Sequence, residues 1–330
     1  MTLFLPAMLL IVTNSLDGTS DVLSGLAEKR GLGLFRLNTD LLNHYQIHID
    51  AEGFSIADPT GRRIRRGDIT SCLWRKPWHS SNDFLLSYPA EEREWLDSQL
   101  KVLVREIVNL CRYDGKLRLI ENDASRRADK VMQMEVAKRH FKVPSWEYVL
   151  NAEAAAGRRV TKALSPNLLT KDGLAHSLYT TVVEAKSLSP RYPWLVQDIA
   201  PGSRDTTLVY IAGKMALFGV ARRRDGSTVD WRVTINTDHE DQWEQLQLNP
   251  EFARATELLM NELGLRYGRL DFILDEASGD SWFLEVNANG QFGWLDDSDL
   301  TLHGWFLDAA LDPANTIISA PCCMPPFSPA

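Results

Sequence analysis

Two carboxylates and an amide pose the first chemical question. Asp271 stands in the apolar run Arg269-Leu270-Asp271-Phe272-Ile273, and Glu285 and Asn287 stand in Phe283-Leu284-Glu285-Val286-Asn287. Glu285 and Asn287 are two apart, so on a strand they share a face. The stretch from Glu276 to Asp280 between the two runs reads as a turn, which predicts an antiparallel hairpin with Asp271 across from the pair. Three oxygen-bearing side chains on one face form a hard site. Mg²⁺ prefers such ligands and completes its shell with water and substrate phosphates. The competing reading is a solvated polar face. Phe272, Phe283 and Leu284 argue against it, because a carboxylate in a buried sheet is costly without a cation.

The elements that must hold these residues are α/β in pattern. Leu9 to Thr13 reads as a first strand, followed by the turn cluster Asn14-Ser15-Leu16-Asp17-Gly18, a helix over 19–30 and a second strand over Gly33 to Leu37. This βαβ opening favours a parallel sheet. Residues 45–49 and 53–57 read as a hairpin, and 70–74 as a strand. Residues 89–111 read as a helix with Trp95, Val102, Leu103, Ile107 and Leu110 on its apolar side. A second unit begins near Lys116. It has a helix from a cap at Asp123 to His140, a strand over 146–150, a short helix over 151–157, a strand over 159–164 and a loop over 168–176. The third unit carries strands at 195–199, 206–212, 215–221, 231–236, 267–274 and 281–287. Its helices lie at 250–263 and after Asp299.

Composition narrows the function classes. The formal net charge of −8 argues against charge-driven binding of nucleic acid or anionic membrane. The apolar start, Leu3 to Val12, is too short to span a bilayer and lacks a basic flank, so it reads as a buried strand, and Met8 is as natural a start as Met1. Four cysteines without a CxxC pair argue against a structural zinc site and fit a reducing cytoplasm, with Cys72 and Cys111 as buried thiols. The sequence contains no GxxxxGK[ST] loop, no GxGxxG after the first strand and no GxSxG elbow.

The trio Asp271, Glu285 and Asn287 resembles the metal-binding signature of the ATP-grasp superfamily. The longer string Phe283 to Leu295, FLEVNANGQFGWL, resembles the ATP-grasp ligases that macrocyclise ribosomal peptides, the graspetide or microviridin-type synthetases. Further segments match in order over about residues 8 to 310. These are Leu10 to Asp17, Leu73-Trp74-Arg75-Lys76-Pro77, Asn122 with Lys130 and Gln133, Val143-Pro144, Tyr179-Thr180, Val196-Gln197 and Asp230-Trp231-Arg232. The resemblance implies an N-terminal pre-ATP-grasp domain over 1–115, two α+β subdomains over 116–192 and 193–316 that clasp ATP, and a poorly ordered tail over 317–330.

It also implies roles. Lys130 and Lys162 contact ATP phosphates, where two ammonium groups would offset the triphosphate beside Mg²⁺. Gln197, Asp198 and Ile199 form the adenine hinge, and the loop around Gly173 is a lid. Arg222 and Arg232 stabilise the transferred phosphate or an acyl phosphate. Arg75 either faces the site or forms a core ion pair. Asn289 and Gln291 either line the acceptor side or cap the turn after the strand. One departure stands out: Thr207, in Asp205-Thr206-Thr207, occupies a place where the family carries arginine, and Arg204 is the candidate to compensate. The implied reaction joins an Asp or Glu side chain of a leader-bearing precursor peptide to a Ser, Thr or Lys side chain through an acyl phosphate, in a homodimer. An amino-acid or glutamate ligase of the ribosomal-protein-modifying type, acting on a free amino acid, and a non-catalytic peptide binder are the alternatives.

Overall fold

A computed structural model describes residues 8–78, 83–120, 129–162, 169–171, 174–176, 180–222 and 243–317. The chain opens with β1 (Met8–Thr13), α1 (Gly18–Lys29), β2 (Gly33–Asn38), β3 (Gln46–Asp50), β4 (Gly53–Ala57), β5 (Arg63–Arg65), β6 (Ser71–Trp74), α2 (Ala90–Tyr113) and β7 (Leu117–Arg118). Four of these strands form a parallel sheet in the order β2-β1-β6-β7, and β3-β4-β5 form a small antiparallel one. The unbroken apolar run of β1 fits a strand covered on both faces, and Leu9 to Val12 are fully buried. The apolar side expected for α2 is corrected. Its buried stripe is Val104, Ile107, Val108 and Cys111, whereas Trp95 and Val102 are exposed. The fully buried positions all lie in the second half of the helix, which abuts β6 and β7.

The middle segment carries α3 (Lys130–Ala137), β8 (Trp146–Val149), β9 (Arg158–Lys162), β10 (Leu169–Lys171), β11 (Leu174–His176), β12 (Thr181–Glu184) and β13 (Trp194–Gln197). The antiparallel sheet order is β12-β9-β13-β8. Two expectations fail here. Residues 151–157 form no helix despite their alanines. Asn151 and Gly157 have positive φ, and the Ala155 N–H is taken by the Glu147 carboxylate at 2.9 Å, so the segment bends instead. The expected loop over 168–176 contains the paired strands β10 and β11. Asp-Gly at 172–173 is the sequence cue for such a hairpin. Asp123, the lid residue Gly173, the strand over 231–236 and most of the tail lie outside the described residues.

The last segment contains β14 (Arg204–Ile211), β15 (Lys214–Ala221), β16 (Glu244–Leu246), α4 (Pro250–Glu262), β17 (Tyr267–Asp275), β18 (Asp280–Asn287) and α5 (Thr301–Leu311). Its sheet is wholly antiparallel in the order β16-β15-β14-β17-β18. One face packs on α4 through Leu208, Tyr210, Leu259, Met260, Leu270, Phe272, Phe283 and Val286. The final helix leaves this unit. Leu302, Phe306, Leu307 and Ala310 of α5 join the core built around β1 and β6, and Tyr267 packs edge-on to Phe306 with ring centroids 4.9 Å apart.

Residues 198–203 carry the chain from β13 into β14 and pass tightly over the end of β17. Gly202 has φ +139°, and a Cβ there would lie 2.6 Å from the Leu274 carbonyl oxygen. The Gly202→Ala variant is therefore expected to lose more than about 1 kcal/mol of stability, read from its denaturant midpoint. A midpoint equal to wild type would show that this crossing is not tight.

Candidate functional site

The parity rule alone misplaces one residue of β18. Phe283, Glu285 and Asn287 are all odd-numbered, so strict alternation would put the phenyl ring beside the carboxylate. The strand avoids this with an irregularity between Asp271 and Phe272: Asp271 pairs with Glu285, whereas Phe272 pairs with Phe283, and Leu284 is the extra residue. Phe283 is thus fully buried against α4, and Glu285 turns to the opposite face.

That face gathers five side chains. Arg269 lies opposite Asn287 and Asp271 opposite Glu285, and Thr207 on β14 lies beside Asp271. The Thr207 hydroxyl donates to Asp271 Oδ1 at 2.8 Å, Arg269 Nη2 donates to Oδ2 at 3.0 Å, and Asn287 Nδ2 donates to Oδ2 at 3.1 Å. Asn287 Nδ2 also reaches Glu285 Oε1 at 3.4 Å. Lys130, at the start of α3, sits 3.0 Å from Glu285 Oε2. One amide therefore links both carboxylates, and a cation flanks each of them.

Two carboxylates with an amide oxygen available by side-chain rotation fit Mg²⁺, which takes one or two carboxylates plus phosphates. Among the described residues no three His, Cys, Asp or Glu side chains cluster for a metal. The amide is what makes the set three, so Asp271, Glu285 and Asn287 are brought together as the hairpin predicts. Gln133, three residues after Lys130, fixes this edge. Its amide donates to the Val286 carbonyl at 2.9 Å and accepts from the Val286 N–H at 2.7 Å, clamping the backbone between Glu285 and Asn287. The i, i+3 spacing of Lys130 and Gln133 on one helix face was a usable signal for this role.

Lys162 is buried on β9, opposite Leu195 of β13. Gln197 is buried too, and its amide reaches the Met134 sulfur of α3 at 2.8 Å. The Asp198 N–H donates to the Ser145 carbonyl at 2.8 Å, and its carboxylate meets Arg159 at 3.0 Å. Ile199 is exposed. Arg222 pairs loosely with Asp205 at 3.7 Å and donates to the Ala200 carbonyl, so it lies along the same strand edge but does not reach Asp271. Arg232 lies outside the described residues.

Three readings that were open in the sequence take one form in the structure. Arg204 does not take the place of the arginine missing at 207; it pairs with Glu244 and Glu276 on the exposed rim. Arg75 takes the ion-pair alternative. It is fully buried, with Nε 3.2 Å from Asp17 Oδ2, and it donates to Asn289 Oδ1 at 3.0 Å and to Thr19 Oγ1 and the Gly290 carbonyl at 3.1 Å. Asn289 is therefore held by Arg75, and Gln291 accepts from Thr19 at 3.2 Å, so both tie the turn after β18 to the first parallel sheet.

No family model matches the sequence, and no curated protein matches it. Solved structures do match. A Chryseobacterium gregarium RiPP-associated ATP-grasp ligase, in complex with ADP and a leader and core peptide, superposes with a TM-score of 0.80 at 18% identity, over 94% of this chain and 98% of that one. Macrocyclase MdnC of Microcystis aeruginosa MRC, bound with precursor peptide MdnA, gives 0.74 at 18% identity, over 92% and 98%. ATP-grasp ligase PsnB, complexed with a phosphomimetic variant of its minimal precursor, Mg and ADP, gives 0.69 at 16% identity, over 94% and 99%. The chain has the ATP-grasp fold.

One neighbouring group titrates unusually. Lys76 follows β6 with a left-handed backbone, φ 43°, and its carbonyl accepts from Asn14 at 2.6 Å. Burial, and then the adjacent Arg75 charge, lower its ammonium to about 8. Between about pH 8 and the ordinary lysine value near 10.4, the unfolded chain keeps a proton that the folded chain has released, so this group's contribution to stability rises with pH across that window. The stability difference between wild type and Lys76→Met should shift in favour of wild type from about pH 7 to about pH 10. A difference that stays constant would place Lys76 in water.

Proposed function

We propose that this chain is an ATP-dependent ligase that activates Asp or Glu side chains of a peptide and closes them onto Ser, Thr or Lys side chains. One observation carries the reading: on an ATP-grasp scaffold, Asp271, Glu285 and Asn287 meet on one sheet face with a lysine on Glu285. The similar solved structures that hold leader, core or precursor peptides support a peptide as the second substrate.

The peptide carboxylate oxygen attacks the γ-phosphorus of ATP, and ADP leaves. The hydroxyl or amine then attacks the acyl phosphate carbon, phosphate leaves, and an ester or amide is formed. Mg²⁺ bound by Asp271, Glu285 and Asn287 would neutralise developing phosphate charge. In this reading Lys130 and Lys162 balance the triphosphate, Gln197 to Ile199 supply backbone groups to adenine, and Arg222 and Arg232 are the candidates to stabilise the transferred group. Arg75 holds Asn289, which with Gln291 borders the acceptor. No described helix is long and apolar enough to cross a membrane. The free buried thiols of Cys72 and Cys111 suit a reducing cytoplasm, and a homodimer is the proposed assembly.

The test uses Mg·ATP and a synthetic peptide encoded by a short reading frame beside the gene. ADP release should depend on the peptide, whose mass should fall by one water per ring closed. A free amino acid replacing the peptide as acceptor would favour the glutamate-ligase reading. Glu285→Gln should slow peptide-dependent ADP release by at least about tenfold; an unchanged rate would remove Glu285 from the cation site.

A further inference from the structure

Neither Arg204 nor Arg222 pairs with Asp271. Arg269 does. It is two residues before Asp271 on β17, hence on the same face, and it is 7% exposed. Nη2 donates to Asp271 Oδ2 at 3.0 Å and Nη1 to the Gln291 carbonyl at 3.3 Å. The guanidinium plane lies over the Trp294 ring, 5.1 Å from its centroid. Three contacts of different kinds thus hold it in one place: an ion pair, a backbone carbonyl and an aromatic face. Thr207 grips the other oxygen of the same carboxylate from the opposite strand.

We infer that Arg269 is the positioning arginine of the candidate cation site: it acts through Asp271 from β17, beside the β14 position where a threonine, Thr207, stands. The inference rests on the proposed function. Thr207 and Asp271 are direct cross-strand partners, and Asp271 lies next but one to Arg269. A guanidinium rooted at either 207 or 269 can therefore reach the same carboxylate. Arg269 orients the carboxylate plane, while Trp294 covers the guanidinium on its outer side. Trp294 is in turn carried on a turn anchored by Asp296. The Asp296 carboxylate accepts the Leu302 N–H at 2.7 Å and lies 2.5 Å from His303 Nδ1, both on α5.

The experiment measures binding of Mn²⁺·ADP to the full chain by calorimetry, which needs no peptide and no turnover. Arg269→Ala should weaken binding by about tenfold or more, the effect typical of losing a group that orients a metal ligand. Arg269→Lys should fall between, because an ammonium keeps the charge and loses the fork. The double variant Arg269→Ala with Thr207→Arg should recover most of the affinity, a rescue that a merely structural arginine would not permit. Wild-type affinity in Arg269→Ala, or no recovery in the double variant, overturns the inference. If the wild-type chain itself binds no Mn²⁺·ADP, the proposed function falls, and the inference with it.

Discussion

The assembly of this chain turns on one buried charge. Arg75 has no exposed surface, so its guanidinium must find every partner inside the protein. It finds Asp17 and Thr19 at the start of α1, and Asn289 and the Gly290 carbonyl just after β18. Tyr267 and Phe306 cover the guanidinium, with ring centroids 5.9 and 5.7 Å away, and the Tyr267 hydroxyl donates to the same Gly290 carbonyl at 2.5 Å. Removing one partner of such a pair typically costs about 3–5 kcal/mol, because the other charge is left buried and uncompensated. The first sheet and the site-bearing hairpin are therefore held in one arrangement, and α5 reinforces it by packing on the core of the first sheet.

On the hairpin itself, the governing constraint is the sorting of aromatic and acidic residues between two faces of one sheet. Phe272 and Phe283 pack with Phe141 and Phe252 beside α4, while Asp271, Glu285 and Asn287 meet on the opposite side. The extra residue at Leu284 is what allows both sets to be satisfied. Gln133 then pins the backbone just past it, so the site's geometry is fixed from α3 as well as from within the sheet.

The charge arithmetic changes meaning in this setting. A net charge of −8 describes the whole chain, yet Lys130 meets Glu285, Arg269 meets Asp271, and Lys76 lies within the field of Arg75 and Arg269. Lys76 titrates low because burial and the nearby Arg75 and Arg269 charges disfavour its ammonium. Such a local excess of cations suits a polyanionic small molecule, which the global balance hides.

Much of this was legible in the sequence. Alternation and a turn between two apolar runs were enough to place Asp271 across from Glu285, and the βαβ opening was enough to announce a parallel sheet, because those signals are local and periodic. The parity of Arg269 with Asp271 and the helical spacing of Lys130 with Gln133 were also there to be read. Other features were not local. Which arginine meets Asp271, whether Arg75 faces solvent or Asp17, where the strand inserts an extra residue, and which core receives α5 are all choices among partners far apart in the chain. The sequence determined which side chains were available and which of them shared a face; the tertiary structure decided which of them met. That decision is made by burial, since a charged or aromatic group withdrawn from water takes whatever partner the packed layers place within reach.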